Sequence, residues 1–382
     1  MFDLLKGVRI VDLSTIVLGP YATQLLGDFG ADVIKVEAPA GDLFRTARPG
    51  RPGGDGAGFL NVNRNKRSIA LDLAQDDDRA TLLRLAATAD VFVHNMRPRA
   101  IARLGFDYDA VRAVRPDIVY CAARGFGAGL QGDEPAYDDI IQAASGLAWL
   151  NAGPDGAPRY VPSIVADKIA GLHLALAIAA GIASRARTGQ GVFVETPMYE
   201  AMVSFLLPEH LGGATFDPPI GPMGYDRLTS PDRRPFRTAD GFLTIMPYTL
   251  AHWQKYLRLT GNDALADDPR VVEPEQRSRH VDMLYGIIAA QSPTRTNAAW
   301  IALLREADIP HTPVNRMEGL LDDPHLASAG MFGWLDHPRE GRVRSLRSPF
   351  AVHDREELPD RPAPVLDADG AAIRADIAEE TR

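Results

Sequence analysis

The chain has 382 residues, of which 46% are hydrophobic and 24% charged, a composition typical of a globular protein with more than one domain. Its 41 basic and 50 acidic residues give a net charge of −9, which argues against nucleic acid or an anionic membrane as the main partner. The N-terminal residues lack the basic and apolar regions of an export signal, so we expect a cytoplasmic protein.

Short β-branched segments alternate with helical patterns from residue 8 to about residue 125. Strands are predicted in VRIVDLS, ADVIKVE, RSIALDL, DVFVHN and DIVYCAA, with helices such as YATQLLGDFG and DRATLLRLAATA between them. This alternation indicates βαβ units and a mostly parallel sheet covered on both faces. Ligands of such sheets usually bind at the carboxyl ends of the strands.

Several signatures of common enzyme sites are missing. No G-x-G-x-x-G follows the first predicted strand, and the chain has no P-loop, no H-E-x-x-H, no G-x-S-x-G and no cysteine and histidine cluster. We therefore expect neither a dinucleotide fingerprint nor a metal site. The single cysteine, Cys121, lies in a predicted strand, which excludes an internal disulfide and favours a place in the core.

The segment SIVADKIAGLHLALAIAAG places an aspartate at the start of the most apolar helical pattern in the chain. Asp167 is expected to cap this helix, and the positive end of the helix dipole is expected to keep its carboxylate ionised, as a reagent requires. The uncharged run from Ile169 to Ser184 is shorter than the ~20 residues that span a bilayer. We therefore predict a buried core helix and no membrane partner.

The second half of the chain has a different organisation. Residues 212–234 are rich in Gly, Pro and Asp and predict an irregular crossing, and a hairpin is predicted around Asp240 and Gly241. Helical patterns follow from about Leu250 to Ala307, and the last fifty residues look extended. The predicted organisation is a large domain (1–200), a linker (201–234), a small α+β domain (235–325) and a C-terminal return to the large domain (326–382).

Several segments, in this order and spacing, resemble the class III CoA-transferases, a family that includes formyl-CoA and carnitine CoA-transferases and 2-methylacyl-CoA racemases. The resemblance rests on GVRIVDLSTIVLGPYATQLLGDFGADVIKVEAPAGD, NRNKRSIALDL, DVFVHNMRPRAIARLGFDY, YDDIIQAASGL, ADKIAG and RTGQG. It implies a Rossmann-like large domain that binds coenzyme A, a smaller second domain, and an interlocked homodimer. It also implies acyl-CoA and a carboxylic acid as substrates, without a metal.

Asp167 matches the family's nucleophile, which attacks the thioester carbonyl of an acyl-CoA. The resemblance implies an aspartyl-acyl anhydride and then an aspartyl-CoA thioester, so that CoA moves between two carboxylic acids. The racemases use a histidine and aspartate pair as bases, whereas this chain has Tyr137 and Asp138. Because a neutral tyrosine is a poor base at pH 7, the transferase branch is favoured. A 2-methylacyl-CoA epimerase, a CoA-binding protein without turnover and a nucleotide-binding module remain as alternatives.

The resemblance also implies which residues contact CoA. They lie in four separate segments and beside the nucleophile: Ile16, Val17, Leu71, Asn95, Met96, Arg103 and Tyr137. The chain departs from formyl-CoA transferase where that enzyme has basic residues, at Ala38, Ala74 and Pro135. Other basic residues could hold the CoA phosphates instead: Arg45, Arg48, Arg97, Arg99 or the cluster of Arg64, Lys66 and Arg67. It also lacks that enzyme's run of glycines. In the corresponding region three arginines could receive a carboxylate of a dicarboxylic substrate: Arg227, Arg233 and Arg234.

Overall fold

A computed structural model describes residues 1–153, 155–355 and 357–380. The chain forms two compact units. Unit 1 comprises residues 1–206 and the segment from residue 325 onward, and unit 2 comprises residues 207–324. The limits at 206 and 324 lie close to the predicted boundaries at 200 and 325, whereas unit 2 includes residues 207–234, which belong to the predicted linker (201–234).

Unit 1 is built on a parallel sheet of six strands, in the order β3-β2-β1-β4-β5-β6. The order reverses between β1 and β4, and this is the point at which open α/β sheets bind ligands. The strands confirm the predicted parallel sheet, and they add β6, which lies beyond residue 125, where the predicted alternation ends. The strands are β1 (Arg9–Asp12), β2 (Asp32–Glu37), β3 (Lys66–Ala70), β4 (Val91–His94), β5 (Val119–Arg124) and β6 (Val192–Pro197).

Helices cover both faces of this sheet because alternate residues of each strand point in opposite directions. Ile10 belongs to the core beneath one face and its neighbour Val11 to the core beneath the other. Cys121 is fully buried, as predicted. The helices are α1 (Leu18–Asp28), α2 (Ala57–Val62), α3 (Asp76–Ala87), α4 (Pro98–Leu104), α5 (Tyr108–Val114), α6 (Asp138–Ala144), α7 (Leu147–Leu150), α8 (Val165–Thr188) and α9 (Met198–His210).

Helix α8 corresponds to the most apolar segment of the sequence, and it ends at Gly189 in the left-handed conformation that favours glycine. One side of it is buried in the core, through residues that include Leu174 and Ile178. Leu172 and Leu176 on another side are 49% and 69% exposed, so the expectation of a buried helix holds for one side only. By length and composition alone α8 could cross a membrane, a test that core helices also pass.

Unit 2 has a small antiparallel sheet in the order β7-β8-β9, formed by β7 (Phe236–Arg237), β8 (Phe242–Ile245) and β9 (His311–Pro313). The turn between β7 and β8 confirms the hairpin predicted at Asp240 and Gly241. Trp300 and Tyr256 are fully buried in the core. The helices are α10 (Asp226–Thr229), α11 (Leu250–Leu259), α12 (Asp263–Ala266), α13 (Pro269–Val272), α14 (Pro274–Arg279), α15 (Val281–Gln291) and α16 (Asn297–Glu306).

The chain then returns to unit 1. A short helix, α17 (Pro324–Ser328), precedes an antiparallel hairpin of β10 (Phe332–His337) and β11 (Gly341–Leu346). The last element is α18 (Gly370–Glu380), whose Ile373 is fully buried in a core of the large sheet. Residues close to the C-terminus therefore complete one face of the sheet that begins at residue 9.

Candidate active site

A cavity of about 240 Å³ opens at the carboxyl ends of β1, β4 and β5 in unit 1. This edge contains the reversal of strand order, where ligands of α/β sheets bind. The fold brings together segments that are far apart in the sequence. Six residues predicted for the site line the cavity: Ile16, Val17, Asn95, Met96, Tyr137 and Asp167.

The turn after β1 has an unusual backbone at Ile16, whose φ of 71° lies in the left-handed region that β-branched residues rarely adopt. Polar side chains hold this conformation. The backbone N–H of Ile16 donates to the carboxylate of Asp42 at 3.1 Å. The side-chain amide of Asn95 accepts from the N–H of Thr15 at 3.1 Å and donates to its carbonyl at 2.9 Å. Two predicted CoA contacts, Ile16 and Asn95, therefore belong to one hydrogen-bonded assembly.

Two buried lysines support this turn. The ammonium group of Lys35 donates to Asp42 at 2.8 Å and to the carbonyl of Ser14 at 2.9 Å. Lys66 forms an ion pair with Asp12 at 3.1 Å, and burial lowers the pKa of Lys66 to about 8. Removing one partner from either pair would leave a buried charge uncompensated, which is strongly destabilising. The shape of the turn thus depends on ionic contacts inside the fold.

His94 holds the next predicted segment in place. The hydroxyl of Tyr120 donates to the carbonyl of Phe106 at 2.8 Å, so its oxygen is left to accept from Nε2 of His94 at 2.9 Å. Nδ1 of His94 then accepts from the backbone N–H of Met96 at 3.2 Å. This arrangement requires a neutral imidazole, and burial lowers the pKa of His94 to about 4. His94 therefore positions Asn95 and Met96.

The N-terminus of α8 is capped by Asp138, at the start of α6, and the expectation that Asp167 caps it is wrong. One carboxylate oxygen of Asp138 accepts from the backbone N–H groups of Ala166 and Asp167 at 2.7 and 3.1 Å. Its other oxygen accepts from Gln142 at 2.6 Å. The helix begins at Val165, so Asp167 is its third residue and its side chain lies beyond the capping position. Within the described part of the chain, no group donates a hydrogen bond to the Asp167 carboxylate.

Burial, and next the negative charge of Asp138, raise the pKa of Asp167 from its ordinary value of 3.8 to about 7. The expectation that the helix dipole keeps this carboxylate fully ionised is therefore wrong, because desolvation and the neighbouring charge outweigh the dipole. Protonation of Asp167 therefore competes with ionisation near neutral pH. Once ionised, a carboxylate of raised pKa is a stronger base and nucleophile than an ordinary one.

Tyr137 lines the cavity and immediately precedes Asp138. It occupies the N-cap position of α6 with an extended backbone, and its side chain is 64% exposed. The structure thus excludes a packed aromatic role within this chain. The ring stands beside a cavity that also contains Asp167, which is the arrangement that the resemblance implies.

Two predicted CoA contacts do not line the cavity. Leu71 is buried in the core, and Arg103 is exposed in the last turn of α4. Arg97, one of the basic residues considered for the CoA phosphates, lines the cavity. Two further charged residues that were not predicted line it as well: Arg124 and Glu134. Arg124 ends β5 and pairs with Glu195, so its place at the carboxyl end of a strand is the signal that could have identified it.

The charged and polar side chains of the fold also show what kind of ligand the site can hold. In residues 1–153, 155–355 and 357–380, no three His, Cys, Asp or Glu side chains are grouped to hold a metal ion. The charged groups around the cavity are two guanidinium groups and two carboxyl groups. They suit an anionic ligand and a carboxylate nucleophile.

Comparison with known proteins identifies the class to which this fold and cavity belong. The profile of CoA-transferase family III matches residues 5–370, and the chain belongs to that family. A succinyl-CoA:mesaconate CoA-transferase of Haloarcula hispanica is 32% identical over 387 residues, covering 97% of this chain and 95% of that protein. A formyl-CoA:oxalate CoA-transferase of Bradyrhizobium is 30% identical over 381 residues, covering 93% and 89%.

A solved structure agrees with these relatives. The crystal structure of a CaiB/BaiF family protein from Brucella suis superposes with a TM-score of 0.82 and 30% sequence identity. The superposition covers 99% of this chain and 100% of that one. The protein is thus a CoA-transferase of family III, an enzyme whose substrates are CoA thioesters and carboxylic acids.

Proposed function

We propose that this protein transfers CoA from an acyl-CoA to a free carboxylic acid, with Asp167 as the covalent nucleophile. The observation that carries the proposal is the carboxyl group of Asp167 at a cavity on the carboxyl edge of the sheet, free of hydrogen bonds from other described residues. Hydrogen bonds from a capped helix would stabilise the charge of the carboxylate and so weaken it as a nucleophile. Asp138 performs the capping and leaves Asp167 for chemistry.

The transfer proceeds in four balanced steps. The ionised Asp167 attacks the thioester carbonyl, the C–S bond breaks, and a mixed anhydride and CoA thiolate form. The thiolate attacks the aspartyl carbonyl and releases the donor acid as its carboxylate, leaving an aspartyl-CoA thioester. The acceptor carboxylate displaces the thiolate to form a second anhydride, and the thiolate then attacks the acceptor acyl carbon and frees Asp167. No net proton, electron or metal is required, since a group moves between similar leaving groups.

The remaining roles follow from the lining of the cavity. In this proposal the turn at Ile16 and Val17, together with Asn95 and Met96, forms the wall against which CoA binds. Tyr137 lies beside the thioester. Arg97 and Arg124 are candidates for the CoA phosphates, since guanidinium groups bind phosphate through paired hydrogen bonds. Leu71 and Arg103 remain proposed contacts, for parts of CoA that extend beyond this cavity.

The assembly and location of the enzyme belong to the same proposal. We expect an interlocked homodimer with a Rossmann-like large domain, acting in the cytoplasm. The exposed apolar side of α8 supports a partner chain, because contiguous apolar surface of this kind commonly marks an interface. Succinyl-CoA is the first donor to test, since one relative's name specifies it, and oxalate and mesaconate are acceptors in the names of relatives.

Mass spectrometry of the intact protein mixed with succinyl-, acetyl- or oxalyl-CoA and trapped with hydroxylamine tests the nucleophile. We expect a donor-dependent modification at Asp167 and a fall in transfer rate of about 10³-fold or more in Asp167→Asn. Asp139→Asn is the matched control, since Asp139 is exposed on α6 two positions from Tyr137. Transfer at wild-type rates in Asp167→Asn would disprove the mechanism. Deuterium incorporation at the α-carbon, without transfer, would establish an epimerase instead.

A further inference from the structure

Arg45 is a buried arginine of unit 1, although the sequence made it a candidate for holding CoA phosphates. Its side chain is 6% exposed. The guanidinium group donates to both carboxylate oxygens of Glu37 at 2.7 Å, to Asp55 at 3.0 Å and to the carbonyl of Pro364 at 3.1 Å. It also lies 3.9 Å from the ring centre of the fully buried Phe59. The positive charge of Arg45 is therefore directed toward other parts of the fold.

A short series of hydrogen bonds connects Arg45 to the turn that lines the cavity. The oxygen Oε2 of Glu37 accepts from Nε of Arg45 and also from the backbone N–H of Asp42, at 3.0 Å. The carboxylate of Asp42 in turn accepts from the backbone N–H of Ile16 at 3.1 Å. The left-handed backbone of Ile16 therefore depends on the position of Asp42, which is held by the carboxylate that Arg45 orients.

The C-terminal return of the chain to unit 1 anchors Arg45 from the other side. Asp55, the second carboxylate partner of Arg45, donates its backbone N–H to Glu340 at 2.9 Å. Glu340 lies in the turn between β10 and β11, is 3% exposed, and donates its own N–H to Nδ1 of His337 at 3.0 Å. Pro364 lies 319 positions after Arg45 in the chain. The shape of a turn near the N-terminus is thus connected to residues near the C-terminus.

The guanidinium group is suited to this role because it is planar and rigid. Its two parallel hydrogen bonds fix the orientation of the Glu37 carboxylate, which a lysine ammonium group cannot do. The nucleophile is held differently, since Asp138 caps the helix that carries Asp167. A change at Arg45 should therefore alter the turn against which CoA binds and leave the chemical step intact.

We propose that Arg45 is a positioning residue for the binding of acyl-CoA. Through Glu37 and Asp42 it sets the backbone conformation of Ile16, and the C-terminal return holds Arg45 itself in place. This role rests on the function proposed above, because the binding of CoA against the turn at Ile16 belongs to that function. It goes further by giving a part in substrate binding to Arg45 and Glu340, two residues outside the lining of the cavity.

The test combines calorimetric titration of the intact protein with CoA and single-turnover acylation by the donor that modifies the wild-type protein. We expect Arg45→Lys, which keeps the charge and loses the paired hydrogen bonds, to weaken CoA binding by about fivefold or more. The acylation rate at saturating donor should change by less than about twofold, because Asp167 and its capped helix are unaltered. A merely structural role of Arg45 would lower the stability of the protein without changing the CoA affinity of its folded form.

Arg347→Lys is the matched control. Arg347 also donates to both carboxylate oxygens of one glutamate, Glu357, at 3.0 and 2.6 Å, and to a backbone carbonyl, that of Ala329, at 3.2 Å. This variant should change CoA affinity by less than about twofold. If Arg45→Lys does not fold, Glu340→Ala decides, since it removes an acceptor from the same series in a turn between two strands. It should weaken CoA binding by about threefold or more.

An unchanged CoA affinity in folded Arg45→Lys, or an equal loss in Arg347→Lys, would overturn the proposal. Where Glu340→Ala decides, an unchanged affinity in that variant would do the same. Ile16→Ala separates this failure from a failure of the proposed function. If Ile16→Ala weakens CoA binding and Arg45→Lys does not, only the positioning role is wrong. If neither weakens it, CoA does not bind against this turn and both proposals fail. The titration does not require Asp167, so the covalent mechanism is tested separately.

Discussion

At the scale of single residues, Ile16 is held in a conformation that its own side chain disfavours. A left-handed backbone costs a non-glycine residue about 1 kcal/mol or more, and the contacts of Asp42 and Asn95 maintain it. Strain that persists beside a ligand cavity suggests that the shape of the turn is needed for binding. Ile16 also lines the cavity. The effect of its backbone conformation on stability can therefore be measured separately from the effect of its side chain on ligand binding.

We predict that Ile16→Gly is more stable than Ile16→Ala by about 1 kcal/mol in urea unfolding. This reverses the ordinary order, in which glycine is the less stable, because only glycine adopts a positive φ without a steric penalty. Both variants lose the same wall of the cavity, so both should weaken acyl-CoA binding to a similar extent. If Ile16→Ala were as stable as Ile16→Gly, residue 16 would not be left-handed in solution.

At the scale of helices, α6 controls the chemistry of α8 through Asp138. The carboxylate of Asp138 caps the N-terminus of α8 and also raises the pKa of Asp167. A single side chain therefore stabilises the helix turn that carries the nucleophile and makes the nucleophile less acidic. The folded pKa of about 7 means that the reactive, ionised form of Asp167 increases as pH rises through 7. The rate of acylation of Asp167 should therefore rise with pH together with the ionised fraction, and it should reach a plateau at pH values well above 7.

We predict that Asp138→Asn moves this curve to lower pH, since it removes the negative charge and keeps an oxygen that can accept from the N–H groups of α8. The measurement is single-turnover acylation from pH 5 to 9, followed by mass spectrometry. Asp139→Asn, which removes an exposed charge from the same helix, should leave the midpoint near 7. An unchanged midpoint in Asp138→Asn would mean that burial alone sets the pKa of Asp167.

The sequence predicts the elements that depend on local interactions, and it does not predict contacts between residues that are far apart in the chain. The alternation of β-branched and helical segments predicts β1 to β5, and the dipeptide Asp240-Gly241 predicts a hairpin, because both signals are local. The resemblance brought Asp167 and Tyr137 to attention, and the fold places them at one cavity. The cap of α8 was mistaken because its acceptor is Asp138, 28 residues before Ala166, and no local pattern shows that contact.

The pKa of Asp167 was mispredicted for the same reason. The helix dipole can be inferred from the sequence, whereas burial and the approach of Asp138 depend on tertiary packing. The pairing of Lys35 with Asp42 was equally hidden, since APAGD, which follows the predicted strand ADVIKVE, is typical of an exposed turn. Chemistry that depends on desolvation therefore requires the packed structure.

At the scale of the whole molecule, the outer side of α8 exposes several large apolar side chains. Leu176 is 69% exposed, Leu172 is 49% exposed, and Trp149 on α7, in the segment preceding α8, is also 69% exposed. Leaving such surface in water is unfavourable by about 25 cal/mol per Å² of apolar area. A second copy of the chain is the partner that the proposed homodimer supplies.

We predict that the protein has twice the mass of one chain in sedimentation or light-scattering measurements, and that its melting temperature rises with protein concentration, as expected when association stabilises the fold. Leu176→Asp should abolish or weaken this association, because a carboxylate buried in an apolar interface is costly. Leu43→Asp is the matched control, since Leu43 is as exposed as Leu176, at 68%, and lies in a different element, a short helical turn (Leu43–Thr46). A single-chain mass for the wild-type protein at all concentrations would contradict the homodimer, and equal effects of the two variants would show that the outer side of α8 is not the interface.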